Sequence, residues 1–346
     1  MPPRKSKNKT TPSSTFILSA AVVFVTLLTI FSNPAGGGSP LDFLAQGISR
    51  AEKFSSSLSN PDNPGKPVSN PDNPEGSLSG GGSGLGSNAA GQEALTVHFI
   101  DVGQADSIFI QSGDHCMLID AGNNDDGEAL VRYLQEQQVE RLDYVIGSHP
   151  HEDHIGGLDD VINNFAIDAI LMPPKAHTTK SFEDVIDALE ARQLSITFPE
   201  PGKTYTLGSA EFTLLGPLKD YEEDLNNWSI ALILSNGIHS FFFGGDIEAA
   251  AEADILSAYP YGLKTDVLKL SHHGSSTSSS EAFLEALSPS FAVASCGAGN
   301  SYGHPHQEVL TALEDRHIQL YRTDRQGTIL VTSQDGRLTW QTEKGD

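Results

Sequence analysis

The sequence predicts an α/β protein of four layers, two mixed β-sheets face to face with helices outside, an αββα sandwich. Three observations lead there. From residue 94 onward short apolar runs alternate with helix-like segments; the first three runs are separated only by Gly-containing turns, as in a β-meander; and the second half repeats the sense of the first. The 346 residues, 38% hydrophobic and 19% charged, supply one large domain plus accessory segments.

In order, strands are predicted over 95–100, 107–111 and 116–120, where β-branched and aromatic residues cluster. A helix over 126–138 follows, then a buried strand over 142–147 and a helix opening at Leu158. Next come a strand over 169–172, a helix over 182–192 and strands over 212–215, 230–235 and 240–244. The second half continues with a helix over 247–257, a strand over 266–270, a helix over 281–287, a strand over 291–295 and a closing pair near Ile329 and Leu338.

Ahead of this domain, assigned to 94–346, lie two other segments. Arg4, Lys5, Lys7 and Lys9 precede an uncharged run from Ser13 to Ser32, so 1–32 is expected to be a signal peptide or a membrane anchor. Its length is near the ~20 residues a span requires and does not decide between the two. In either case the basic flank stays in the cytoplasm and the domain is delivered outside. Residues 33–93 turn to Gly, Ser, Pro and Asn, with Ser59-Asn60-Pro61-Asp62-Asn63-Pro64 repeated from Ser69 to Pro74. Such a composition does not bury enough apolar surface to offset its ordering entropy and reads as a linker, with a short helix possible over 41–54.

The net charge is −24, and residues 94–346 carry 14 Lys and Arg against 39 Asp and Glu. That excludes a domain gripping nucleic acid by a basic face, but not a phosphodiester drawn to bound cations. Cys116 and Cys296, both at apolar strands, are expected to be buried free thiols.

The densest chemistry lies between the strand at 142–147 and the helix opening at Leu158, where His149, His151, Glu152, Asp153 and His154 place three imidazoles and two carboxylates within six residues. In an extended loop, residues two apart point the same way, so His149 and His151 close on one ion while Asp153 and His154, entering the turn, face a second. Gly156 and Gly157 are read as letting the chain bend without a Cβ in the way.

The spacing His-x-His-x-Asp-His resembles the signature of the metallo-β-lactamase-fold hydrolases, and the partners that this resemblance implies stand at other strand ends: Asp120, Asp246 and Ser271-His272-His273-Gly274-Ser275. Four further stretches narrow the resemblance. These are Phe99-Ile100-Asp101-Val102-Gly103-Gln104-Ala105-Asp106-Ser107, Asn226-Asn227-Trp228-Ser229, Lys269 to Ser275, and Asn300-Ser301-Tyr302-Gly303-His304-Pro305. Together they resemble the hydrolase domain of the ComEC-type DNA-uptake proteins and their free-standing relatives over about 94–340. Ala105 stands where that family usually has Gly, and no His lies at 227–229, where the wider superfamily supplies another ligand.

The resemblance implies two divalent ions, zinc first and manganese second. The first site is then His149, His151 and Asp246; the second is Asp153, His154, Asp246 and His273, taken over its neighbour His272. Asp246 bridges the ions, and Asp120 orients His149 or His154. Adjacent residues at a strand end point to opposite sides, so His272 is expected away from the ions, meeting the substrate's phosphate, with Asp153, His272 and His304 as the catalytic groups. Asn227 and Ser229 line the first site or bind substrate. His98, His115, His177, His239, His306 and His317 are left structural.

The function implied is an exported, membrane-tethered, metal-dependent phosphodiesterase acting on nucleic acid or a phosphate-bearing envelope polymer, with no protein partner expected. A lactam or thioester hydrolase on the same fold is the enzymatic alternative. A metal-holding surface protein is the non-enzymatic one, disfavoured because a scaffold has no need of an open two-metal site. The ComEC-type proteins join this domain to a multi-span channel; none is expected here, so no role in DNA uptake is carried over.

Overall fold

The computed structural model describes residues 93–345. The segments expected over 1–32 and 33–93, Glu93 apart, lie outside the described residues, as does the possible helix at 41–54. Among the described residues no helix is long and apolar enough to cross a membrane.

The first half runs β1 (Leu95–Phe99), β2 (Ile108–Ser112), β3 (His115–Ile119), α1 (Gly127–Glu136), β4 (Arg141–Ile146), α2 (Glu152–Ile155), α3 (Leu158–Asn164), β5 (Ala166–Leu171), α4 (Lys180–Arg192) and β6 (Ile196–Thr197). The second half runs β7 (Thr204–Leu207), β8 (Ala210–Leu214), β9 (Leu232–Asn236), β10 (His239–Phe243), α5 (Ala249–Ala258), β11 (Val267–Lys269), α6 (Glu281–Leu287) and β12 (Phe291–Ala294). It ends with α7 (Gln307–Asp315), β13 (Gln319–Arg322), α8 (Thr323–Gln326), β14 (Ile329–Gln334) and β15 (Arg337–Thr342).

Two mixed sheets result, ordered β15-β14-β1-β2-β3-β4-β5-β6 and β13-β12-β11-β10-β9-β8-β7. The repeat of sense is explicit. β1 to β3 pair antiparallel and β3 to β6 parallel, while β7 to β10 pair antiparallel and β10 to β13 parallel.

Period-two alternation separates the layers. Phe241 and Phe243 of β10 enter the core between the sheets with Leu95, Val97 and Phe99 of β1 and Phe212 of β8. Phe242 points the other way, into a second core with Ile255 of α5, Phe283 of α6 and Leu313 of α7. A strand buried on both faces is an uninterrupted apolar run, which is why Phe241-Phe242-Phe243 carries no polar residue. Each such Phe contributes about 1.5–3 kcal/mol on burial.

The parallel strands matter most for function, because the turns after β3, β4, β10, β11 and β12 carry Asp120, 148–154, Asp246, 271–274 and 295–304. The candidate site gathers at these strand ends, on turns and on the short helix α2 that holds Asp153 and His154, where ligand sites of layered α/β sheets collect. β6, β7, α2, α7, β13 and α8 lie where the sequence predicts no element. α7 has Val309 and Leu313 on one buried face, a helical spacing short enough to pass for loop.

Candidate metal centre

The ligand loop is not one extended stretch: its second half is the short helix α2. After β4 the chain bends at His149 and Pro150; His151 is extended, with φ and ψ of −77° and 150°, and α2 begins directly after it. His149 and His151 thus precede the helix and Asp153 and His154 lie within it, and the turn brings the His149 and His154 rings to 4.2 Å between centroids. The glycines behind them act by close approach, not by bending. Gly156 has helical angles, φ −56° and ψ −45°, and a Cβ there would lie 2.3 Å from backbone atoms of Asn123 and Asn124. At Gly157 it would lie 2.6 Å from the Ala121 carbonyl oxygen. The loop is thereby pressed onto the Asp120 turn, where Ala121 N–H donates to the His154 carbonyl at 2.7 Å and Gly156 N–H to the Gly122 carbonyl at 2.9 Å.

Asp120 is fully buried, in the left-handed region at φ 60°. Its Oδ1 accepts from Ser148 N–H at 2.7 Å, and its Oδ2 from Ser148 Oγ at 2.7 Å and from His154 Nδ1 at 2.8 Å. Of the two histidines it was expected to orient, it holds His154. His149 is held by hydroxyls instead: Nδ1 lies 3.1 Å from Ser148 Oγ and 3.2 Å from Ser229 Oγ.

Asp246 sits at the centre, 2% exposed. Its Oδ1 is 3.2 Å from His154 Nε2, and its Oδ2 is 4.0 Å from His149 Nε2, 3.8 Å from His272 Nε2 and 3.7 Å from His273 Nε2. His273 Nε2 is also 3.3 Å from Asp153 Oδ2, and its Nδ1 donates to the Ser295 carbonyl at 3.0 Å. Single ligand atoms of Asp153, His154, Asp246 and His273 all lie within 4.8 Å of one another. His151 closes on the first pair, its Nδ1 2.9 Å from His149 Nε2.

This donor set fits a divalent cation. His154 Nε2, Asp246 Oδ1 and His273 Nε2 are buried and make no hydrogen bond, yet all point into the same space. Buried polar atoms are almost always bonded, and three orphaned donors of nitrogen and carboxylate type meeting at one point are what a cation satisfies. The charges agree. Burial opposes a charged His154, but Asp246, Asp120 and Asp153 outweigh it and raise its pKa well above the usual 6.5. Burial works against the Asp153 carboxylate too, but the neighbouring His154 and His273 hold it at about 2. Burial pushes His149 well below 6.5, with His154 adding to the effect.

Two expectations are corrected. His272 and His273 do not diverge, because both are in the left-handed region, at φ 49° and 54°, in a tight turn beyond β11, so both Nε2 atoms face Asp246. His272 is turned there by Glu248 Oε1 and Thr277 Oγ1, each 3.1 Å from its Nδ1. Asn227 is buried with its amide committed to the protein: its Oδ1 accepts from Glu248 N–H at 2.9 Å and Ala251 N–H at 3.2 Å, capping α5 from another part of the chain. Ser229, fully buried, lines the first site, as one of its two expected roles has it: it stands 3.2 Å from His149 Nδ1 and accepts from Asp246 N–H at 3.0 Å.

His304 is where its motif implied. Its ring stacks on His273 at 6.2 Å between centroids and lies 5.6 Å from His272; burial, His273 and His272 bring its pKa to about 4. Asn300 clamps its loop, accepting from His304 N–H at 2.9 Å and donating to the His304 carbonyl at 2.7 Å. Two histidines left structural lie beside the centre: His177, with its ring 6.3 Å from His151, and His306, 4.7 Å from His304. His98, His115 and His239 bond elsewhere, to Tyr133, Asp143 and Ser333. Ala105 is buried without a positive φ, so its turn does not require glycine. Cys116 and Cys296 are free and buried.

Residues 100–298 match the Metallo-beta-lactamase superfamily. The chain is 31% identical over 253 residues to ComE operon protein 3 of Bacillus subtilis (strain 168), covering 67% of this chain and 32% of the relative. It is 31% identical over 241 residues to Competence protein ComA of Neisseria gonorrhoeae, covering 69% and 32%. The chain thus spans about a third of the length of the curated relatives it matches. Among solved structures, the metallo-beta-lactamase fold protein YhfI from Bacillus subtilis is 15% identical, with a TM-score of 0.45 over 72% of this chain and 100% of that one.

Proposed function

The chain belongs to the metallo-beta-lactamase superfamily, and from that premise we propose that it is a metal-dependent phosphodiesterase, exported and held at a membrane by residues 1–32. The observation that carries the hydrolase reading is the convergence of Asp153, His154, Asp246 and His273, with three of their atoms buried and unbonded. The phosphodiester part is supported by the motif resemblance and by two relatives named as a competence protein and a ComE operon protein.

His149, His151 and Asp246, with His272 facing the same carboxylate, would hold one ion; Asp153, His154, Asp246 and His273 would hold the other. Divalent ions there supply Lewis-acid stabilisation of a phosphoryl oxygen and activation of water near neutral pH. The protein's own part is orientation. Asp120 and Ser148 fix the ring of His154, Ser148 and Ser229 that of His149, Ser295 that of His273, and Glu248 with Thr277 that of His272. Holding the far nitrogen of each imidazole aims the near one before anything binds, so little reorganisation remains for the reaction. His304, neutral at pH 7, suits holding a phosphate oxygen through an N–H better than giving up a proton.

The test is hydrolysis by the full chain, chelated and then reloaded with zinc or manganese, of an oligonucleotide, a glycerol-phosphate polymer, a phosphomonoester, a lactam and a thioester. Metal-restored turnover of a phosphodiester is expected. Turnover confined to the lactam or thioester would move the protein to the alternative class, and turnover of none would remove the enzyme reading.

A further inference from the structure

Under the centre lies a pair of charges that the chemistry above does not use. Lys269 on β11 and Asp106 just before β2 are each 1% exposed, and Lys269 Nζ donates to Asp106 Oδ2 at 2.8 Å and to the Leu270 carbonyl at 3.0 Å. A buried ammonium costs several kcal/mol in desolvation, and an apolar pair of the same volume is often as stable or more so. Stability alone therefore does not account for it.

Its position does. Asp106 Oδ1 is 3.2 Å from His273 Nδ1 and has no hydrogen bond of its own. The Asp106 main chain is tied to the other ligand loop, its N–H donating to the Asp153 carbonyl at 3.0 Å. Gly122 N–H, beyond Asp120, donates to the Asp106 carbonyl at 2.9 Å. Asp106 comes from the eight-stranded sheet; Lys269 and His273 flank the end of a strand in the seven-stranded one. One residue thus touches ligands from both sheets, and its ion pair joins the sheets directly beneath them.

We propose that Asp106 and Lys269 are positioning residues for the metal centre, a cross-sheet tie that fixes the His273 ring, Nδ1–H toward Ser295 and Asp106 and Nε2 toward Asp153, and so sets the geometry of the second ion. This rests on the metal-centre reading. Lys269 supplies the charge that lets a carboxylate stand behind His273 in the core, and the shared Asp106 fixes the distance between His273 and Asp153.

The experiment is metal titration of the full chain, parent against the double variant Asp106→Asn/Lys269→Met, which removes both charges together and leaves neither partner uncompensated. The expected result is a thermal melt close to the parent's, with affinity for one ion weakened ~10–100-fold and for the other unchanged. A folded double variant that binds both ions as the parent does would reduce the pair to a structural role. In the zinc-loaded parent, nitrogen-15 spectra of the histidines should show His273 protonated at Nδ1 and bare at Nε2. The opposite tautomer overturns the proposal even if the variant fails to fold. A parent chain that binds no metal would remove the reading beneath it, and the inference with it.

Discussion

Protons and metal ions should compete for this centre, and the competition gives the metal-free fold and its metal affinity opposite pH dependences. Without ions, burial disfavours a charged His273, but Asp246 and Asp106 outweigh it and raise its pKa from 6.5 to about 10. A histidine raised in this way stabilises the fold fully below its unfolded value and ceases to as pH rises through the folded one. Between pH 6.5 and 8.5 the unfolded ring gives up its proton while the folded ring keeps it, which removes about 2 kcal/mol. For a domain of this size that is roughly 4–8 °C in melting temperature. His154, also raised, adds in the same direction and outweighs the at most about 0.4 kcal/mol per ring that the depressed His149 and His304 return over the same window. The window closes at 8.5 because Cys116 and Cys296, pushed by burial to about 11 and 12, ionise in the unfolded chain near 9. An ion must instead displace the proton from Nε2, a handicap of about a thousandfold at pH 7 for His273, or ~4 kcal/mol, that shrinks about tenfold per pH unit. The chelated chain should therefore melt at a lower temperature at pH 8.5 than at 6.5, while zinc binds more tightly. Scanning calorimetry reads the first; titration calorimetry in buffers of different ionisation enthalpy reads the second, with about two protons released at pH 7. A chelated chain whose stability is flat or rising over this window, or binding that releases no protons, would refute the argument.

Asp246→Asn should abolish hydrolysis and lower the content of both ions, since a neutral amide bridges poorly; elemental analysis showing full occupancy would defeat the bridging role. Asn227→Ala should uncap α5 at a cost of about 0.5–2 kcal/mol and leave KM unchanged, whereas a tenfold rise in KM at parental stability would restore a substrate contact. Removing residues 1–92 should leave a folded domain with the parent's turnover, and protease added to whole cells should reach the domain; protection until lysis would contradict the outward orientation.

The sequence determined the layers, because burial on one face or two is a local property. Phe241-Phe242-Phe243 has to be covered on both sides, and Leu95, Val97 and Phe99 on one. It also determined which turns carry chemistry: the His-x-His-x-Asp-His spacing, Asp120 and Asp246 stand at strand ends whatever the sheets do afterwards. Distances between turns were left to the closure of the two sheets. Asp106 and Lys269, 163 positions apart, were legible only as single charges at the edges of apolar runs, and nothing local pairs them. His177 has no partner in the sequence because His151 is met across a loop, whereas His306 stands two residues from His304, a His-x-His spacing that the sequence does show. Strand alternation does not extend to His272: backbone at φ 49° and 54° turns both rings inward, a left-handed turn that only contacts such as Glu248 and Thr277 with His272, and Ser295 with His273, hold in place. Periodicity encodes what is buried; which buried atoms meet is decided by packing between segments that share no local signal.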